Sequence, residues 1–418
     1  MDARKVGFGL AVLAMLAAGA CRKSEGDRKN PGPESTPVAG PVTSGGVNAG
    51  RQSEGEGKNP GSEIKPVAVA VTSGGLHEDW KNVPLEDAVQ KGLKWLVSVQ
   101  GSDGGWGQDG GVSEVVRKDI PLESQGNDVA NTAMVCLALM RAGNTPSQGP
   151  YREALDRGIR FILANVEESP ADGLPVTKRT GTQIQRKLGP NIDTFLANLV
   201  LAEADGRVAD AEAGRRVHQA LEKCVAKIQK NQGKDGSWNQ GGGWAPVIGT
   251  SLASRGLFRA QAKGAGVQQE NLDRARENAL AKVDVERGEF KRDADGAGVR
   301  LYGAGFALEE ASRAPAADAM KARKVLTAGK NELADATFVG GFGSMGGEEF
   351  ISYMSISDSL VRAGGEEWKK WNGKIREHVI KLQNQDGTWA GHHCITGRVA
   401  CTSGAVLTLL AERTAPRS

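Results

Sequence analysis

Three stretches of this chain share one skeleton, and no other feature restricts the fold as strongly. QGSDGGW (Gln100–Trp106), QGKDGSW (Gln232–Trp238) and QNQDGTW (Gln383–Trp389) each read Gln-x-x-Asp-Gly-x-Trp, and each follows a charged amphipathic segment. Gly after Asp supplies a turn that stops a helix, and Asp can bond its own backbone there. Gln can satisfy carbonyls at the helix end, and the indole can cover that amide against the next segment. The unit therefore reads as a structural clip between consecutive helical hairpins. Gln100, Trp106, Gln232, Trp238, Gln383 and Trp389 are thereby set aside as active-site candidates.

Past residue 76 the apolar spacing is helical almost throughout, and strand-like alternation is scarce. Two kinds of helix alternate. One is charged and amphipathic, as in EDAVQKGLKWLVSVQ, REALDRGIRFILANV and EEWKKWNGKIREHVIKLQ. The other is nearly uncharged and rich in small residues, as in NDVANTAMVCLALMRAG, NIDTFLANLVLAEA, PVIGTSLASRGLFRA, LYGAGFALEEASR, FISYMSISDSLVRAG and RVACTSGAVLTLL. A helix apolar nearly all round is buried, and one with a single apolar stripe lies outside it. The spacing predicts six outer–inner pairs, with inner helices beginning near Asp128, Asp193, Val247, Arg300, Phe350 and Val399.

This rhythm resembles the Gln-Trp repeats of squalene–hopene cyclases and the related repeats of protein prenyltransferase β subunits. It is carried by KGLKWLVSVQGSDGGWG, KIQKNQGKDGSWN and KLQNQDGTWAG, and it spans most of residues 84–413. The resemblance implies an all-α fold, an α/α toroid in which an inner ring of helices surrounds a central cavity and an outer ring encloses it. A fold of this kind does not bring its chemistry with it. Triterpene cyclases open an inner helix with Asp-x-Asp-Asp-Thr-Ala, whose middle acid is the proton donor. The similar place here is DVANTA, where Asp128 and Thr132 match while Ala130 and Asn131 replace the other two acids. Asp128 also suits a helix N-cap. Cyclase cavities need aromatic faces, yet three of the eight tryptophans belong to the clips, and Trp95, Trp368 and Trp371 lie on outer helices. The resemblance thus implies the toroid without squalene-type cyclisation.

Prenyltransferases bind zinc through an Asp-x-Cys pair and a later His, and no such pair occurs here. GHHCITGRVAC (Gly391–Cys401) instead gathers His392, His393, Cys394 and Cys401 before the last inner helix. These are acceptable zinc ligands. A Cys394–Cys401 disulfide is the other reading, and free thiols in a packed turn a third. The expectation chosen is the disulfide with no cofactor, zinc being the alternative. The complement-type Cys-Gly-Glu-Gln motif is absent. GFGSMG (Gly341–Gly346) fits a dinucleotide template by letter only, because no strand precedes it, and reads as a hairpin loop.

In such a toroid the inner helices start at one end, so their partial positive charges converge on a cavity mouth. The candidate mouth residues are Asp128, Asn131, Asp193, Arg300, Tyr302, Tyr353, His393 and Arg398. A partly apolar cavity with a cationic rim suits a hydrophobic or anionic ligand; equally, Arg300 and Arg398 can pair with acids such as Asp295 or Glu349.

The N-terminal segment sets the location. Arg4 and Lys5 precede an apolar run, Val6–Ala20, followed by Cys21, the layout of an export signal. AGAC (Ala18–Cys21) resembles a bacterial lipoprotein signal, which implies cleavage after residue 20, lipidation of Cys21 and anchorage to a cell-envelope membrane. Residues 21–75 are rich in Gly, Pro, Ser, Lys and Glu, carry a duplication (KNPGPESTPVAGPVTSGG, KNPGSEIKPVAVAVTSGG), and read as a disordered tether to the domain at 76–418. A net charge of +3 without a basic stripe gives nucleic-acid binding no support. The leading expectation is a lipid-anchored toroid that binds a ligand or partner. The alternative is an enzyme acting on an isoprenoid, lipid or saccharide, with metal at the His392–Cys401 loop.

Overall fold

The computed structural model describes residues 84–110 and 126–414. The signal, Cys21 and the tether lie outside the described residues. The order is α1 (Leu85–Ser98) and α2 (Val129–Arg141); α3 (Arg152–Glu168), the short α4 (Gln183–Leu188) and α5 (Ile192–Ala204); α6 (Ala211–Lys230) and α7 (Pro246–Gln261). Next come α8 (Gln269–Leu280) and α9 (Arg300–Ser312); α10 (Ala319–Glu332), the short α11 (Ala336–Val339) and α12 (Gly347–Ala363); α13 (Gly365–Lys381) and α14 (Arg398–Leu409). The strands among these residues form one two-residue ribbon, β1 (Val283–Asp284) and β2 (Glu289–Phe290), beside isolated bridges at Trp106–Asp128 and Gln108–Gly110.

Each expected inner helix starts within three residues of its predicted position. These helices are buried on every face: in α2, Val129 through Met140 are all buried. The outer helices bury one stripe, as in α1 with Ala88, Val89, Gly92, Leu93 and Leu96. The inner helices pack in the order α2, α5, α7, α9, α12, α14, and α14 closes against α2. The result is a closed α/α toroid.

The repeated skeleton explains the closure, with two roles exchanged relative to expectation. The indole N–H caps its own outer helix: Trp106, Trp238 and Trp389 donate from Nε1 to Leu96, Ile228 and Val379 carbonyls at 2.6, 2.8 and 2.7 Å. The glutamine reaches the neighbouring hairpin. Gln100, Gln232 and Gln383 each donate to the turn carbonyl (Gly104, Gly236, Gly387) and to an outer-helix carbonyl (Ala154, Asn271, Ala88). A threonine of the inner helix completes the clip, since Thr132, Thr250 and Thr402 accept from the Trp106, Trp238 and Trp389 backbone N–H groups. The turn glycine is obligatory. Gly236 has φ +83°, and a Cβ there would stand 2.1 Å from the Arg274 carbonyl oxygen on α8.

Candidate functional site

At the inner-helix N-termini the expected residues separate into three groups. Asp128, Asn131 and Asp193 are together. Asp128 caps α2 by accepting from Asn131 N at 2.7 Å and Asn131 Nδ2 at 2.8 Å. Asp193, from the start of α5, accepts from Ala130 N at 3.0 Å and from Gln185 Nε2 at 2.7 Å. Two buried carboxylates therefore share the start of one helix. Burial and then the Asp193 charge push the Asp128 carboxyl up to about 7, and burial pushes Asp193 up to about 6.

Tyr302 and His393 meet elsewhere, around two acids that the sequence reading did not select. Glu348 and Glu349 open α12 and are fully buried. Glu349 Oε1 accepts from the Tyr302 hydroxyl at 2.5 Å, and Oε2 accepts from Gly346 N at 2.9 Å and lies 3.4 Å from His393 Nε2. His393 Nε2 also donates to the Ser344 carbonyl at 2.9 Å. Burial and then Glu349 push the Glu348 carboxyl up to about 7. Burial alone would lower the His393 imidazole; the Cys394 sulfur, the Glu349 carboxylate and the Ser344 carbonyl reverse this and raise it to about 10. Trp244 and Phe342 roof the group, with ring centroids 5.4 Å apart; Trp244 lies 6.1 Å from Tyr302 and 6.5 Å from His393. Trp244 precedes α7 and His393 precedes α14, helices opposite each other in the ring, so this contact crosses the toroid axis.

Arg300, Tyr353 and Arg398 turn towards the outer ring instead. Arg300 pairs with Glu332 of α10 at 2.8 Å and Glu289 of β2 at 3.4 Å, in place of the Asp295 or Glu349 considered from sequence. The Tyr353 hydroxyl donates to the Val339 carbonyl, and its ring packs on Trp371 and His378 of α13. Arg398 pairs with Asp109 and Asp386 and stacks on Trp95 of α1. In each case the side chain leaves its helix on the face opposite the axis, where a partner acid or ring awaits it.

The cysteines of the last loop also depart from expectation. Cys394 and Cys401 are separate thiols rather than a disulfide. Cys401 lies on the buried face of α14 with its sulfur 3.5 Å from the Ile395 carbonyl, and Cys394 sits half-buried at a positive φ of 52°. His392 is exposed.

A cavity lined by all the inner helices lies at their C-terminal ends, opposite to the end expected from the converging N-termini. Its volume is about 410 Å³. Leu137, Met140, Leu199, Met354 and Leu407 supply apolar wall. Six arginines (Arg141, Arg207, Arg255, Arg259, Arg362, Arg413) face three acids (Glu203, Glu309, Asp358). Each acid is shared: Asp358 by Arg141 and Arg255, Glu309 by Arg255, Arg313 and Arg362, Glu203 by Arg207 and Arg259. Burial would raise the Glu309 carboxyl, but Arg255 and then Arg313 and Arg362 hold it down at about 2. Helix C-termini carry partial negative charge, so the arginines supply here the positive character assigned from sequence to the N-terminal end. A signal for most of these residues was present: Arg141, Glu203, Arg255, Arg259, Glu309, Asp358 and Arg362 are charged side chains in inner helices otherwise rich in small and apolar residues, and such groups are seldom buried unpaired. Glu348 and Glu349 carry the same signal. Trp244 has none, because only the ring places it against His393.

Fold and site together define a closed α/α toroid with a polar axis. The fold is terpenoid cyclase-like. The family profile described as squalene-hopene cyclase C-terminal domain matches residues 72–182. Lanosterol synthase of Saccharomyces cerevisiae is 34% identical over 94 residues, 22% of this chain and 12% of that protein. Squalene–hopene cyclase of Bradyrhizobium diazoefficiens is 32% identical over 80 residues, 19% of this chain and 11% of that one. The chain thus matches only about a tenth of the length of these relatives. The type II terpene cyclase MstE from Scytonema, solved with geranylgeranyl dihydroxybenzoate, aligns with a TM-score of 0.50 at 12% identity, over 79% of this chain and 97% of that chain; it shares the fold.

Proposed function

We propose that this protein is an exported toroid, tethered to an envelope membrane through lipid on Cys21, whose axial cavity binds an amphiphile with an anionic head and an isoprenoid-like tail. The observation that carries this reading is the cavity lining. Five of the six guanidiniums share three carboxylates while Arg413 pairs with Glu86, which leaves N–H donors for an anion, and five apolar side chains flank them. The volume of about 410 Å³ falls within the roughly 300–1,000 Å³ of small-molecule sites. The relatives named as squalene–hopene cyclase favour an isoprenoid tail over other apolar groups. Ala130, where the cyclase acid would stand, favours binding over cyclisation.

Titration calorimetry with geranyl monophosphate tests the reading. Binding should weaken at least about tenfold in an Arg207→Ala, Arg259→Ala double variant, and should weaken with salt. Equal affinity for geraniol, or an unchanged affinity in the double variant, would overturn it. In the same preparations, Cys21→Ser should move the chain out of the membrane fraction.

A further inference from the structure

The far end of the axis holds a second constellation that the anion cavity does not use. Glu348 and Glu349 come from the first turn of α12 and His393 from the loop before α14, and one ligating atom from each lies within 4.8 Å of the others. We infer that Glu348, Glu349 and His393 form a binding site for a divalent transition-metal ion of the Zn²⁺ or Mn²⁺ class.

Four observations support the site. First, Glu348 is fully buried, yet its Oε1 has no hydrogen-bond partner, while Oε2 is fixed by the Ile395 N–H at 3.2 Å. An unserved carboxylate oxygen in a buried position is costly unless something else satisfies it. Second, His393 is oriented by its Nε2 contacts to Ser344 O at 2.9 Å and Glu349 Oε2 at 3.4 Å, and its Nδ1 makes no hydrogen bond of normal geometry. A backbone carbonyl holding one ring nitrogen while the other stays available is how ligating histidines are set. Third, Glu349 is held from outside the cluster by the Tyr302 hydroxyl and by the Phe342 and Gly346 N–H groups. Fourth, the two loops approach as only glycine allows: a Cβ on Gly346 would lie 2.8 Å from His393 O and 2.9 Å from Glu348 Oε2, and one on Gly347 would lie 2.6 Å from Ile395 Cγ2.

The chemistry of the set chooses the ion. Two carboxylate oxygens and one imidazole nitrogen suit Zn²⁺ or Mn²⁺, and three protein ligands leave a coordination position open. Two buried carboxylates have one imidazole between them, and a divalent ion supplies the missing positive charge. On binding, the ion enters and the protons held on the ligating atoms leave to solvent. The set keeps only His393 from the four ligands expected on sequence, with carboxylates in place of the thiolates.

The full chain, stripped with chelator and equilibrated with ZnCl₂ or MnCl₂, should retain stoichiometric metal after desalting and melt at a higher temperature. Glu348→Gln and His393→Asn should each weaken retention at least about tenfold. A Cys394→Ser, Cys401→Ser variant should retain the ion. Independently of any variant, the Co²⁺-loaded wild type should show no thiolate charge-transfer band. Failure of the wild type to bind either ion, retention in both Glu348→Gln and His393→Asn, or a thiolate band would each overturn the assignment.

Discussion

At the scale of single residues, Asp128 shows how one side chain changes meaning with its surroundings. As a cap it satisfies Asn131 N, and as half of a buried acid pair it also holds a proton near neutrality. Its folded pKa of about 7 lies above the ordinary carboxylate value of 3.8, so the folded state binds a proton that the unfolded chain has released. The pair's contribution is therefore most favourable on the acid side and is lost as pH rises from about 4 to about 7. Asp193, raised to about 6, acts in the same direction. Asp128→Asn should flatten this fall, so that the variant gains on the wild type between pH 5 and pH 7 in urea unfolding (roughly the window set by the two carboxyls). A wild-type stability that rises through this window, with the variant parallel to it, would show that the pair is ionised in the fold.

At the scale of elements, the inner helices are joined by charge as well as by small-residue packing. Arg255 of α7 is buried, with its guanidinium on Glu309 of α9 and on Asp358 of α12, and Arg141 of α2 closes on the same Asp358. Such a network is weak evidence for net stability, but removal of one member leaves buried carboxylates underserved. Arg255→Met should cost about 3–5 kcal/mol in chemical denaturation. A loss below about 1 kcal/mol would mean that the neighbouring arginines re-form the network without it. The exposed pairs of the outer helices, such as Lys369–Glu366, contribute little.

At the scale of the whole molecule, closing the ring is a contact between the two ends of the domain. Gln383 donates to Ala88 O of α1 across 295 residues, using the same side-chain geometry with which Gln100 reaches α3 and Gln232 reaches α8. Gln383→Ala leaves the Ala88 and Gly387 carbonyls short of a donor, which costs about 1–3 kcal/mol per orphaned acceptor. Hydrogen exchange should locate that loss at α1 and the 384–389 turn, whereas Gln100→Ala should loosen α3. Identical exchange patterns from the two variants would show that the clips do not act locally.

The clip motif, the alternation of helix types and the six inner-helix starts were all legible in the chain, because each depends on neighbours within about one helical turn or on burial averaged over a whole helix. The direction of individual side chains was not. Arg300, Tyr353 and Arg398 sit at or near the starts of buried helices, and whether each faces the axis or the outer ring depends on a rotation that a nearly uniform apolar helix leaves unmarked. The cavity's position was hidden for a related reason. Helix dipoles favour the N-terminal end for an anion, but the loops before α7, α12 and α14 bring Trp244, Phe342 and His393 together over that end. The charged residues of the opposite end are far apart in the chain and meet only when the ring closes. Sequence by itself determined a toroid of paired helices, since local periodicity and turn chemistry suffice for that. Only the tertiary structure decided which acids and arginines share the axis, because closure of a ring is a relation among all its members at once.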